Sequence, residues 1–216
     1  MRLFAAVLPP EPVADELAGV VAGLRELPGP AGVRWSSRES WHFTLVFLAE
    51  VDDEVVPAVC ERMERAARRT APFPLSLRGG GHFGGRALWA GAGGAVAELR
   101  ILAGRAEAAA RKAGVTMTEH RPYRPHLTLA RSRGDADFTP YVEALRGFDG
   151  TPWTVPELVL VRSNLPTSGV PGERPRYEAV GRWPLGGAAQ DAAGAGAAGA
   201  GADGTDAAAR DAGAAG

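Results

Sequence analysis

Two histidines of this chain stand in the same local setting, His42-Phe43-Thr44-Leu45 and His126-Leu127-Thr128-Leu129. Side chains alternate faces along a strand, so each His and its Thr point one way while the apolar residues point the other. Each segment therefore offers one titratable ring and one hydroxyl on a rigid backbone. An imidazole titrates near pH ~6.5, so of two such rings one can be neutral and the other charged around neutral pH. In-line opening of a cyclic phosphodiester needs that pairing: a base takes a proton from attacking water and an acid gives one to the leaving ribose oxygen. The two threonine hydroxyls can donate hydrogen bonds to the non-bridging oxygens, where charge builds. No step calls for a metal or other cofactor, and none is expected. Residue types alone do not say which ring is the acid.

These segments must be held by flanking elements. Leu3–Leu8 reads as a buried strand stopped by Pro9-Pro10, and Val13, Leu17, Val20, Val21, Leu24 and Leu27 recur at helical spacing after it. The strand Trp41–Leu48 carries the first motif. A helix with Val55, Val56, Val59, Cys60, Met63 and Ala67 on one side follows, with Asp52 or Asp53 as its N-cap. Phe73–Leu77 is a short strand, Gly79–Gly85 a glycine-rich loop and Ala87–Gly91 a strand. A helix over about 95–113, the strand His126–Ala130, a helix over 139–146 and strands at Leu158–Arg162 and Tyr177–Trp183 complete the order. The elements repeat as strand, helix, His-x-Thr-x strand, helix, strand, and the two motif histidines are 84 residues apart. A repeat that long indicates an internally duplicated lobe. The expected fold is α+β, with two pseudo-symmetric lobes, each a small antiparallel sheet with outer helices, and an active cleft between them.

Other residues carry weaker signals. Arg124, two residues before His126, shares its face, whereas Arg131, five residues after it, faces away in a regular strand. Arg124 is therefore the expected phosphate ligand, with a surface salt bridge as the alternative. Phe83 could stack on a nucleobase, as aromatic residues do in readers of single-stranded RNA, or pack in the core; Tyr123 shares the ambiguity. His82 and His120 lack the threonine partner and are read as surface or loop residues, although His120 with Glu119 could form a fortuitous metal pair. Gly79, Gly81 and Gly84 spell G-x-G-x-x-G, but a strand rather than a helix is expected next, which rejects a dinucleotide site.

Taken together, the two motifs and their surroundings resemble the 2H phosphoesterase superfamily, and most closely its RNA 2′,3′-cyclic phosphodiesterases, also called 2′-5′ RNA ligases. The resemblance is carried by Val33-Arg34-Trp35 ahead of Trp41–Leu45, by Gly81-His82-Phe83-Gly84 through Leu88-Trp89, by Arg124–Arg131, and by Ser163-Asn164-Leu165 with Tyr177 and Trp183-Pro184-Leu185. Glu50 stands where the family ordinarily has Gly. The resemblance implies hydrolysis of cyclic phosphate ends to 2′-phosphomonoesters, with His42 as proton donor and His126 as acceptor. It equally admits the reverse reaction, 2′-5′ ligation, and a nucleotide-binding module without turnover is the rival from another class.

The composition fits a catalytic domain over 1–185 and a disordered Ala/Gly-rich tail over 186–216, too poor in apolar residues to offset its ordering entropy. The whole chain is at −1, while the tail holds four Asp and one Arg, so residues 1–185 carry +2. That suits a small anionic site rather than a broad duplex-binding face. The expected partners are RNA ends or small cyclic nucleotides, with no membrane and no metal, and a monomer is expected. One cysteine, Cys60, permits no intrachain disulfide, and no segment has the ~20 apolar residues of a membrane helix. A cytoplasmic location is expected.

Overall fold

The computed structural model describes residues 1–117, 122–165 and 175–187. The tail assignment beyond residue 187 and the Glu119–His120 pair lie outside them. Nine strands form one antiparallel sheet. They are β1 (Arg2–Val7), β2 (Arg34–Trp35), β3 (Phe43–Glu50), β4 (Phe73–Phe83), β5 (Ala87–Gly94), β6 (His126–Arg131), β7 (Trp153–Val155), β8 (Glu157–Asn164) and β9 (Arg176–Pro184). Four helices accompany them: α1 (Glu11–Arg25), α2 (Val56–Arg68), α3 (Val96–Lys112) and α4 (Thr139–Leu145).

The strand order is β7-β4-β5-β6-β3-β1-β8-β9, with the short β2 beside β6. The sheets of the two lobes thus join edge to edge at β3 and β6, through the pair Phe43–Leu127. Both of these residues are wholly buried. In chain order, β1-α1-β3-α2-β4 is followed by β5-α3-β6-α4-β8. The last strand of each unit pairs in the other lobe, β4 on β5 and β8 on β1. Such a recurrence is what an internal duplication would produce, with the lobes tied together by exchanged strands.

One face of the sheet is covered by helices. Leu17 and Val21 of α1, Val59 and Met63 of α2, and Leu99 and Leu102 of α3 pack with Phe43, Leu45, Leu127 and Leu129 in a single core. The apolar positions between His and Thr therefore face the helices, and the opposite face of β3 and β6 is left for the polar residues. A small second cluster, Phe4, Ala6, Val159 and Val161, lies on that opposite face of β1 and β8. Among the described residues no helix is long and apolar enough to cross a membrane.

Three local expectations are corrected. The segment expected as a glycine-rich loop is the second half of β4, which runs on to Phe83. Its glycines serve close approach: a Cβ on Gly81 would lie 2.4 Å from the ring of its cross-strand partner Trp89. Helix α2 begins after Val55 with no side-chain cap, so neither Asp52 nor Asp53 caps it. The short strands β2 and β7 are additions that a two- or three-residue run does not signal. Cys60 is packed against the main core, and burial pushes its thiol up.

Candidate active site

His42, Thr44, His126 and Thr128 line one cleft of about 450 Å³ on the face of the sheet away from the helices. Both rings are held the same way. His126 Nδ1 lies 2.7 Å from the carbonyl oxygen of Arg124. A carbonyl can only accept, so in the neutral ring Nδ1 bears the proton and Nε2 keeps its lone pair. His42 is hydrogen-bonded to the backbone of Ser40, also two residues back, an interaction that raises its proton affinity. The turn before His42 is fixed in turn by Arg38, which bonds Glu11 and Asp15 of α1.

Aromatic rings close around both histidines. Phe4 stacks on His42 with centroids 4.6 Å apart, and Tyr177 meets the same ring edge-on at 5.5 Å. Phe83 meets His126 edge-on at 4.8 Å, and Trp89 backs Phe83 at 5.5 Å. This enclosure has an electrostatic consequence. Burial, opposed by the Ser40 hydrogen bond and assisted by the charges of Arg131 and His126, lowers the His42 pKa to about 4. Burial, and secondarily the charge of Arg131, also lowers that of His126 against the Arg124 hydrogen bond. Both rings are therefore predominantly neutral near pH 7 in the free protein.

Arg131, set aside on strand parity, lines the cleft beside both histidines. The reason is a register break between β5 and β6: Leu88 pairs with Ala130 but Trp89 pairs with Thr128, leaving Leu129 as an extra residue. A bulge resets the alternation, so the five-residue offset from His126 returns Arg131 to the site face. Arg124, the expected phosphate ligand, is exposed, does not line the cleft, and takes part through its backbone carbonyl. Phe83 is placed against His126 and Trp89 rather than among the cleft-lining residues. Tyr123 is packed against the main core with its hydroxyl buried, and burial raises the pKa of that hydroxyl. His82 is an exposed residue of β4 whose Nδ1 accepts from the Gly85 amide. Phe4 and Phe47 are cleft residues that no sequence pattern singled out, and Ser163, from the block that carries the family resemblance, lines the cleft as well. Among the described residues no group of three or more His, Cys, Asp or Glu side chains is arranged to hold a metal ion.

Residues 7–89 and 93–171 match the family described as LigT like Phosphoesterase. A Thermus thermophilus protein named RNA 2′,3′-cyclic phosphodiesterase is 33% identical over 194 residues, covering 87% of this chain and 91% of that protein. A Geobacillus stearothermophilus protein of the same name is 36% identical over 169 residues, 75% of this chain; the match spans about half of that relative, 51%. Among solved structures, TT0787 of Thermus thermophilus superposes with a TM-score of 0.69 at 30% identity, over 87% of this chain and all of that one. The apo form of E. coli LigT superposes with a TM-score of 0.68 at 27% identity, over 85% and 96% of the two chains.

Proposed function

This chain belongs to the LigT-like phosphoesterase family, and on that premise we propose that it hydrolyses RNA 2′,3′-cyclic phosphodiester ends to 2′-phosphomonoesters by metal-independent acid–base catalysis between His42 and His126. The observation that best supports the reading is the meeting of two His–Thr pairs and Arg131 in one cleft. Each imidazole there is hydrogen-bonded to the backbone two residues earlier.

In this mechanism the cyclic phosphate lies between the two rings. His126 Nε2 takes a proton as water oxygen bonds to phosphorus. The P–O3′ bond breaks, and His42 protonates the leaving O3′. Thr44 and Thr128 donate to the non-bridging oxygens, and Arg131 offsets their charge. After one turnover His126 carries the proton and His42 is neutral, and exchange with solvent restores the starting state. Free His42, at a pKa of about 4, is a poor proton store near neutrality. A bound phosphodiester adds a negative charge that opposes Arg131 and raises the proton affinity of both rings. The π face of Phe4 also favours the charged form of His42 once it is desolvated.

Phosphorus NMR of the products from 2′,3′-cyclic AMP tests the reading. A single 2′-phosphomonoester signal is expected. A 3′-phosphomonoester would overturn the assignment of the leaving oxygen, and no turnover would overturn the reading itself.

A further inference from the structure

The cleft does not end at the histidines. It continues along the lobe of β1, β3, β8 and β9 as far as Arg2. Three of the protein's exposed large apolar side chains line this extension: Phe47 at 63% exposure, Leu165 at 49% and Tyr177 at 39%. Apolar surface left open in a polar cleft indicates a ligand that covers it. Arg2 lies at the far end. Its cross-strand neighbour Glu50 lies 3.8 Å from the Met1 amine. Among the described residues neither Arg2 nor Arg131 makes an ion pair. Arg2 and Arg131 both line the cleft, together with these apolar side chains. Arg2 is two residues along β1 from Phe4, which stacks on His42; two strand residues span about 7 Å, close to one nucleotide of extended chain.

Building on the proposed phosphodiesterase reading, we propose that the cleft is built for a cyclic-phosphate-ended oligonucleotide, with Arg2 holding the phosphodiester upstream of the terminal nucleotide and Phe47, Leu165 and Tyr177 packing against that nucleotide's base. Packing against a base face reads no base edge, so the wall tolerates any base, as stacking platforms do. Specificity would lie in chain length: a mononucleotide fills the catalytic end and leaves Arg2 unused.

The test compares kcat/KM for 2′,3′-cyclic AMP and for the dinucleotide ApA ending in a 2′,3′-cyclic phosphate, in the wild-type full chain and in Arg2→Ala and Arg2→Lys. The wild type should favour the dinucleotide by about tenfold or more, a usual contribution of one charge-assisted phosphate contact. Arg2→Ala should remove most of that preference and Arg2→Lys restore part of it. The dinucleotide's log KM should also depend more steeply on salt than the mononucleotide's, because one more charge contact is screened, and Arg2→Ala should erase the difference. Equal use of both substrates by the wild type, or a preference that survives Arg2→Ala, overturns the inference and leaves the phosphodiesterase reading standing. Failure to turn over either substrate overturns both.

Discussion

His126 and Arg124 are joined by a hydrogen bond of 2.7 Å from ring Nδ1 to the backbone carbonyl, across the intervening Pro125. The bond fixes the tautomer, and with it the atom that the proposed mechanism uses as base. Asparagine at position 126 can keep a donor near Nδ1 while supplying nothing at Nε2. His126→Asn should therefore fold with an unchanged melting temperature and lose about 10²- to 10⁴-fold in kcat, the usual contribution of a positioned base. His42→Asn should do the same at the opposite side of phosphorus. Turnover of 2′,3′-cyclic AMP and thermal melts of the same preparations decide it; near-normal activity in either variant would falsify the two-histidine mechanism.

The depressed pKa values set the pH response. Catalysis needs one protonated ring and one neutral ring, a state most populated between the two free-protein pKa values. One of these is about 4 and the other is lowered from 6.5. The pH optimum of kcat/KM, which reports the free enzyme, should thus lie on the acid side of 6.5, with a falling alkaline limb as the last proton leaves. The kcat profile, which reports the complex, should sit at higher pH because the bound phosphate raises both rings. Arg131→Gln removes a charge that lowers both histidines, so it should move the alkaline limb of kcat/KM upward while reducing its height. A rate survey over about pH 4 to 9 checks the sign; a limb that stays put or moves down contradicts the coupling.

The proposed mechanism has the two threonines of the cleft act on charge that develops rather than on binding. Thr44→Val and Thr128→Val keep the shape and remove the hydroxyl. Each should lower kcat by about 10²-fold, the scale of losing one oxyanion donor, with a smaller change in KM. If KM rises and kcat holds, the hydroxyls are ground-state ligands instead.

The His–Thr alternation was legible because it depends on two adjacent residues of strand, and the helix-facing positions Phe43, Leu45, Leu127 and Leu129 followed from the same periodicity. Arg131 was not legible. Its orientation depends on Leu129 being unpaired against β5, and nothing in the string Leu127–Arg131 marks a bulge. The strand through Gly79–Phe83 was hidden for a related reason: glycines were read as loop formers, yet at Gly81 the need is room for Trp89, its partner across the β4–β5 hairpin. The exchange of β4 and β8 between lobes is likewise a long-range pairing that element order leaves undetermined.

The close packing of Gly81 on Trp89 is transmitted toward His126. A methyl group there meets the Trp89 ring at 2.4 Å, so the indole must move. Trp89 backs Phe83, and Phe83 packs against His126. Gly81→Ala should lower stability by about 1–3 kcal/mol, as overpacking does, and lower kcat as well, although residue 81 does not line the cleft. Urea unfolding and turnover measured together check it; a variant with wild-type stability would show that the indole has room to spare.

In the proposed mechanism two imidazoles account for both proton transfers, and Arg131 with the two threonine hydroxyls accounts for the charge on the non-bridging oxygens. A divalent ion would duplicate these functions: it activates water that His126 already deprotonates, and it neutralises oxygens that Arg131 already faces. It would also add positive charge beside two rings whose proton affinity is already lowered, and so deplete the protonated His42 that the leaving oxygen needs. Turnover of 2′,3′-cyclic AMP should therefore be unchanged, within about twofold, after exhaustive dialysis against EDTA, and added zinc should leave it unchanged or inhibit by ligating the neutral imidazoles. Activity that disappears with the chelator and returns with the metal would replace the acid–base scheme by a metal-activated water.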